Sequence, residues 1–478
     1  MKHYKFKLKN NRVPLTRILS KFVVDLDYKD IPREVSTITK YLILDTLGVT
    51  LAGSQELSSN IIMNTVKEFG GKKESTILGY REKTSVVNAA LINATMARAL
   101  EFEETHNIGG HPLVSILPAA LSIGEKNGIS GTDLITSIVI GYDIHCRIGR
   151  GAKTSHILAG LDFTSVCGVF GATAAVGKIL GLNEYQLSNA FGLAYSHCSG
   201  NLLSERDGTF SKRLQSGLAA KGGILSAILA KNGFTGPSDA LEAMGGFFDV
   251  YIKNYDLSYV TARLGDEFEI MNSHLKPYPT CRFTHPSIDA TLNLVQKYKI
   301  IPKNVKKIYV KLPEYMYLQV CYPLETKRAP NNLVLAQFSI PFVIALALCK
   351  NEVSLNTFTE LNLSNPEIIE ISEKVIPQID KNFKEKSGSI LPTEIKIETK
   401  EGNNFTEKVV YPKGSPKNFL SEEEIKKKFR DCTLRILDQE RIEKVAEIIT
   451  NLEEVDNIAK LICYIQGKEV KDKGRISK

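Results

Sequence analysis

The chain has 478 residues, enough for two or more hydrophobic cores, because a single core stops growing at roughly 250–300 residues. A composition that is 43% hydrophobic and 24% charged excludes a disordered or fibrous chain. The formal charge of +8 rests on scattered Lys and Arg, clustered only at Lys426–Lys428 and in the tail from Lys468 to Lys478; this reads as solvated surface and excludes a nucleic-acid stripe, while suiting anionic small molecules.

In chain order, the start MKHYKFKLKNNRVPLTR has no apolar signal core and its first serine is Ser20, which reads as a cytoplasmic start. No run approaches the roughly 18 apolar residues of a membrane span, so no membrane partner is expected. From about Ser36 to Phe248 apolar residues return at three and four, as at Ile38-Tyr41-Leu42, Leu134-Ile138-Tyr142 and Ile224-Ile228-Leu229, with Gly or Pro at the breaks. That pattern predicts an all-helical domain. Its small-residue stretches, such as Gly168 to Gly177, permit close helix packing, and no GxGxxG or Walker spacing indicates a nucleotide loop. The eight cysteines (Cys146, Cys167, Cys198, Cys281, Cys321, Cys349, Cys432 and Cys463) lie far apart with no CxxC pair, and read as free thiols of a reducing compartment.

The pattern changes after Ser273. Lys307-Ile-Tyr-Val-Lys-Leu312 and Glu394-Ile-Lys-Ile-Glu398 alternate polar and apolar residues, and Gly402-Asn403-Asn404 turns the second into a further strand. Between them Ala336 to Cys349 reads as one buried helix. Ser421-Glu-Glu-Glu424 is a capping box that reopens helix through Ile465. The expected organisation is a helical domain over 1–272, an α+β lid over 273–414 and C-terminal helices over 415–478. Periodicity leaves open which of the two bodies those last helices join.

Three clusters carry chemistry. In Glu101-Phe-Glu103-Glu104-Thr105-His106-Asn-Ile-Gly-Gly-His111, three carboxylates, two imidazoles and a hydroxyl gather where Gly109, Gly110 and Pro112 break a helical pattern. On a helix Glu101 and Thr105 would share a face, with His111 across a turn. The two histidines straddle Gly-Gly rather than forming a zincin pair, and no cysteine cluster completes a site, so no metal is expected. The second cluster, Arg206 to Gly217, puts Lys212 and Arg213 near a helix N-terminus, where an anion is favoured. The third, His274-Leu-Lys276-Pro-Tyr-Pro-Thr-Cys-Arg282-Phe-Thr-His285, sets cations between stiffening prolines at the domain junction. Solvated charge is the plain alternative for each.

The three clusters, in this order and at these separations, resemble the MmgE/PrpD family. Further phrases carry the likeness: Asp45-Thr-Leu-Gly-Val-Thr-Leu-Ala-Gly53, Asn88-Ala-Ala-Leu-Ile-Asn-Ala94, Gly171 to Asn183, Asn232-Gly-Phe-Thr-Gly-Pro237 and Lys276 to His285. The resemblance implies a mainly α fold with an α+β lid, the C-terminal helices returning to the helical domain. It also implies a homodimer and an active site in the cleft, with neither metal nor organic cofactor. It places catalytic residues at Glu101, Thr105, His111 and Lys212, and a substrate-binding lysine at Lys276. Arg282, Arg213 and His285 are added as further substrate-binding candidates, and Tyr322 is matched across a gap. Two positions depart from the family pattern. Asp162 stands where a histidine is usual, and so does Gln215; His156 and His197 are candidates to replace the missing imidazole, and Asp162 is itself a candidate to bind a less anionic substrate group.

The activity implied is that of a cofactor-independent lyase acting on a small polycarboxylate. A hydro-lyase of the 2-methylcitrate dehydratase type ranks first. A carboxy-lyase acting on cis-aconitate, an epimerase or isomerase of a substituted dicarboxylate, and a carboxylate-binding protein without turnover are the alternatives. All three reactions build negative charge beside an ionised carboxylate, which requires fixed cations and a proton-transfer group.

Overall fold

A computed structural model describes residues 13–108, 110–153, 160–383 and 391–467. Helices dominate and a small mixed sheet sits in the second half, so the fold is mainly α with a smaller α+β part, as expected. Nine helices and six strands suffice to place the site. The helices are α1 (Arg33–Gly53), α2 (Val86–Ala97), α3 (Leu113–Asn127), α4 (Gly131–Gly151), α5 (Gly168–Ile179), α6 (Ser211–Lys231), α7 (His285–Tyr298), α8 (Ile340–Lys350) and α9 (Glu422–Thr433). The strands are β1 (Thr105–His106), β2 (Ser273–His274), β3 (Val305–Leu312), β4 (Val375–Ile379), β5 (Thr393–Thr399) and β6 (Asn404–Val409).

One hydrophobic core is built by side chains from Leu15 to Leu275 together with Leu420 to Ile465, and a second by side chains from Cys281 to Ile397. In the first, α6 packs on both α5 and α2, and the small residues seen in the sequence are what bring these helices so close. A Cβ on Gly217 of α6 would stand 2.5 Å from both the Leu91 carbonyl oxygen and Thr95 Oγ1 of α2. Gly217→Ala therefore overpacks the seam, at a cost of about 1–3 kcal/mol. Helix α1 is long and apolar enough to cross a membrane, but 72% of that stretch is buried inside the protein, where it packs against α9.

The second core wraps the sheet, ordered β4-β3-β5-β6, in which β3 and β4 run parallel and the other neighbours antiparallel. The helix expected over Ala336–Cys349 is two: Leu333–Gln337, then α8. Ser339 caps α8 by accepting from the Phe342 amide at 3.0 Å, and Pro341 in its first turn cannot continue a preceding helix. The capping box at Ser421 is present, with Glu424 accepting from the Ser421 amide at 3.0 Å. All eight cysteines are free thiols.

Two contacts hold the acidic loop in place. β1 pairs with β2, Thr105 opposite His274 and His106 opposite Ser273. Two residues beyond that ladder, Lys276 is delivered beside Glu101. From the other side α9 sends in Lys428, whose Nζ donates to the Phe102 carbonyl at 2.8 Å and pairs with Asp45 at 2.6 Å. The run Lys426–Lys428 is thus only partly a solvated face. Lys426 and Lys427 make exposed pairs with Glu422 and Asp431 along the helix, while Lys428 is buried.

Candidate active site

The site begins where α2 stops. Helix α2 ends at Ala97, and Glu101 adopts a left-handed backbone conformation (φ 54°), uncommon for any residue but glycine. Glu101 and Thr105 therefore do not share a helix face, contrary to the sequence expectation: the positive φ ends the helical path and Thr105 enters β1 instead. The Glu101 carboxylate is only 4% exposed and lies among three cations. Arg98 Nη1 is 2.5 Å from Oε2, Lys212 Nζ 2.7 Å from Oε2, and Lys276 Nζ 2.8 Å from Oε1, with a second Lys276 bond to the Glu101 carbonyl at 2.9 Å. Burial opposes the charge of this carboxyl, but Arg98, Lys212 and Lys276 outweigh it and hold the group well below the usual carboxylate range.

His111 precedes α3 and is nearly buried. Its Nδ1 lies 2.7 Å from the Glu104 carbonyl, an acceptor only, so Nδ1 carries the proton and the Nε2 lone pair is left facing Glu101 Oε1 at 3.8 Å. Burial, then Arg98 and Lys276, push its proton affinity well down; Glu101 opposes them and Lys212 adds to them. The imidazole is accordingly neutral in the free protein. Thr105 does not hold it: Thr105 Oγ1 donates to the Gly110 carbonyl at 3.0 Å and closes the turn. Gly110 has φ 71°, and a Cβ there would stand 2.6 Å from Thr164 Oγ1, so only glycine fits at that bend.

Two residues of the acidic loop surround the imidazole without having been singled out for chemistry. Glu103, fully buried, pairs with Arg98 and lies 3.2 Å from His111 Nδ1. Glu104, also fully buried, accepts from the Leu113 amide at 2.8 Å and so caps the first turn of α3. Burial pushes Glu104 up to about 8, against the Leu113 amide and with help from Glu103 and Asp45. Arg98, the cation shared by Glu101 and Glu103, was missed altogether, because a lone arginine at a helix end carries no motif. Glu205 was missed too. It reaches Lys212 at 3.4 Å and accepts from Gln319 of the second core at 3.0 Å.

The remaining candidates divide. Lys212 and Lys276 belong to the cluster, Lys212 also resting 4.1 Å over the Phe338 ring. Arg213 turns away to Glu56 (3.1 Å) and Ser58 (2.9 Å). Arg282 donates to Asn107 and stacks on Phe283, so it braces the loop between β1 and His111. His285 is buried at the start of α7, its Nε2 3.2 Å from the Thr280 carbonyl, and burial with Lys276 drives it down to about 3. Tyr322 is 61% exposed. Asp162 spends both oxygens locally, accepting from the Thr164 amide (3.1 Å) and from Ser165 Oγ (3.0 Å) as the cap of a short helix, while burial raises its proton affinity against the pull of Arg98. Gln215 pins the preceding loop, accepting from the Asn201 amide at 2.5 Å and donating to Ser204 Oγ at 2.9 Å. His197 is exposed over Gly222, and His156 lies outside the described residues.

Glu101, Glu103 and His111 offer three donor atoms within 4.8 Å of one another. They fit a metal poorly all the same. Both oxygens of Glu101 already hold fixed cations, and a divalent ion would have to enter among Arg98, Lys212 and Lys276. The charge arrangement suits an anion instead.

The fold is thus a helical body with a smaller α+β part, and its most densely ionisable buried cluster gathers the His111 imidazole, the Glu101 carboxylate and the ammonium groups of Lys212 and Lys276. The chain belongs to the MmgE/PrpD family: the family's N-terminal domain matches residues 17–260 and its C-terminal domain residues 278–454. Among curated relatives it is similar to cis-aconitate decarboxylase of Aspergillus terreus, 27% identical over 474 residues that cover 95% of this chain and 96% of the relative. It is also similar to human cis-aconitate decarboxylase (26% over 442 residues, 90% of each chain) and to the cis-aconitate decarboxylase-like protein oryM of Aspergillus oryzae (25% over 475 residues, 95% and 98%).

Proposed function

We propose that this protein is a carboxy-lyase acting on cis-aconitate or an unsaturated polycarboxylate of the same pattern. The relatives favour carbon–carbon cleavage over the loss of water ranked first from sequence. The observation that carries the reading is the neutral His111 imidazole, Nδ1 fixed by a carbonyl, with its Nε2 facing the Glu101 carboxylate on which two buried ammonium groups converge.

In such a substrate one carboxylate sits on a CH2 next to the double bond. When that C–C bond breaks, CO2 departs and its electron pair forms a new terminal double bond. The old double bond shifts its pair to the far carbon, which takes one proton. Lys212 and Lys276 hold the remaining carboxylates and the charge that builds beside them. The incoming anion offsets the cations that keep His111 neutral, so the ring gains a proton at Nε2 as substrate binds and donates it to the far carbon. No metal or organic cofactor enters this scheme.

Incubation with cis-aconitate, citrate and methylcitrate, followed by proton NMR, tests it. New terminal-methylene signals with CO2 release from cis-aconitate are expected. Water loss from citrate or methylcitrate without CO2 would return the reading to a hydro-lyase. Thermal stabilisation by these acids with no turnover would make the protein a binder.

A further inference from the structure

We infer that Arg98 is a positioning residue of this site: its guanidinium clamps Glu101 and Glu103, the two carboxylates that flank His111, and so fixes their place against the ring. The inference rests on His111 as the proton-transfer group, and not on which acid is the substrate.

The geometry gives Arg98 a place that neither lysine can fill. Its Nη1 reaches Glu101 Oε2 at 2.5 Å and pairs with Glu103 as well, from a side chain only 4% exposed. Glu101 lies 3.8 Å from His111 Nε2, and Glu103 lies 3.2 Å from Nδ1. One planar cation thus touches both nitrogens of the ring through one carboxylate each. Lys212 and Lys276 pair with Glu101, but among the described residues the cation that pairs with Glu103, apart from His111 itself, is Arg98. Both pairs leave one nitrogen, Nη1, at the far end of the arginine, and a lysine at this position would end one bond short of that point. Arg98 also stands three residues before Glu101, where it ties the side chain of a left-handed residue back to the end of α2.

The groups facing His111 are Arg98, Lys212, Lys276, Glu101, Glu103 and the carbonyl of Glu104. Removing Arg98 takes away one of three cations and leaves both carboxylates. Protonation of the ring then becomes easier, and Glu103 loses its permanent counter-charge.

Full-length Arg98→Met and Arg98→Lys decide the matter through two readouts. In the first, the His111 imidazole is titrated by NMR and assigned by its disappearance in His111→Gln. Arg98→Met should move that titration up by about one pH unit or more, the effect of one opposite charge lost at close range, and Arg98→Lys should move it less. In the second, turnover of cis-aconitate is followed across pH. kcat should fall by about tenfold or more in both variants, with KM within about threefold, and the pH limb should follow the NMR shift. Should Arg98→Met fail to fold, Arg98→Lys still decides, since it keeps a charge but places it one bond short of both carboxylates. A folded Arg98→Lys with the titration and kcat of the unmodified protein would overturn the proposal. If the unmodified protein does not turn over cis-aconitate, the substrate reading falls alone, and the NMR titration still decides Arg98.

Discussion

The acidic loop from Arg98 to Leu113 and the basic segment from His274 to His285 look alike as sequence, each a dense knot of ionisable side chains broken by Gly or Pro. In space they differ. The acidic loop turns Glu101, Glu103, Glu104 and His111 onto one small volume, because a left-handed Glu101 and a bend at Gly110 fold the chain back on itself. The basic segment runs on past β2 and contributes Lys276 to that volume, whereas His274 pairs in the ladder, Arg282 braces Asn107 and His285 starts α7. A cluster in sequence becomes a site where the backbone closes on itself. Where the backbone runs straight, the same residue types serve packing.

The strongest way to break this contrast is to compare His111→Gln and Lys276→Met. Both groups belong to the converging volume, so each substitution should lower kcat/KM on cis-aconitate by about a thousandfold, the size expected for losing a proton-transfer group or a fixed cation. Lys276→Met also strands the Glu101 carboxylate without one of its partners. A folding measurement must accompany it, because breaking a buried pair costs about 3–5 kcal/mol. Activity within tenfold of the unmodified protein in either variant would move the chemistry elsewhere.

The pH dependence of stability probes the acidic loop alone. Glu104 is held at about 8 in the folded chain against 4.5 as its ordinary value. Between those values the folded chain keeps a proton that the unfolded chain releases. The contribution is therefore full below pH 4.5 and is lost as pH rises to 8, at about 1.4 kcal/mol per pH unit. Gln in its place still accepts from the Leu113 amide but does not titrate. Urea unfolding at several pH values should show Glu104→Gln gaining on the unmodified protein as pH rises from 4.5 to 8. Parallel curves would mean that Glu104 is ionised in the fold.

Much of this was legible in the sequence, and the remainder has a physical reason. The helical period, the alternation of β3 and β5 and the capping box at Ser421 are local signals, and local signals survive folding. The convergence of Glu101, His111, Lys212 and Lys276 was reached by motif order. Arg98, Glu103 and Lys428 were not reached as site residues, since their importance comes from whom they meet: Arg98 from a residue in an unusual backbone conformation, Lys428 from a helix more than three hundred positions away. Asp162 was read as facing the ligand. Its capping bonds follow from Thr164 and Ser165, which the sequence displays but does not aim.

On the basic segment the expectation is of stability rather than rate. His285 is buried, neutral and bonded to the Thr280 carbonyl, with Tyr278 edge-on at 5.3 Å. His285→Ala removes that bond and leaves a cavity, and should destabilise the fold by about 1–3 kcal/mol. kcat of the folded fraction should stay within about threefold, because no reacting group is touched. A large drop in kcat without loss of stability would place His285 in the site and erase the contrast between the two segments.

The smallest effect is expected at Tyr322. Matched to the family only across a gap, it is 61% exposed, while the groups around His111 are almost wholly buried. A phenol with that much water around it gains little by bonding a substrate carboxylate, since the same bond is made to solvent before binding. Tyr322→Phe should therefore leave both kcat and KM within about twofold of the unmodified protein. A rise in KM well beyond that, with kcat unchanged, would show that the lid brings Tyr322 onto the bound acid. The basic half of the molecule would then supply a second contact to the substrate besides Lys276, and the division between a converging acidic loop and a mainly structural basic segment would have to be redrawn around the closed lid.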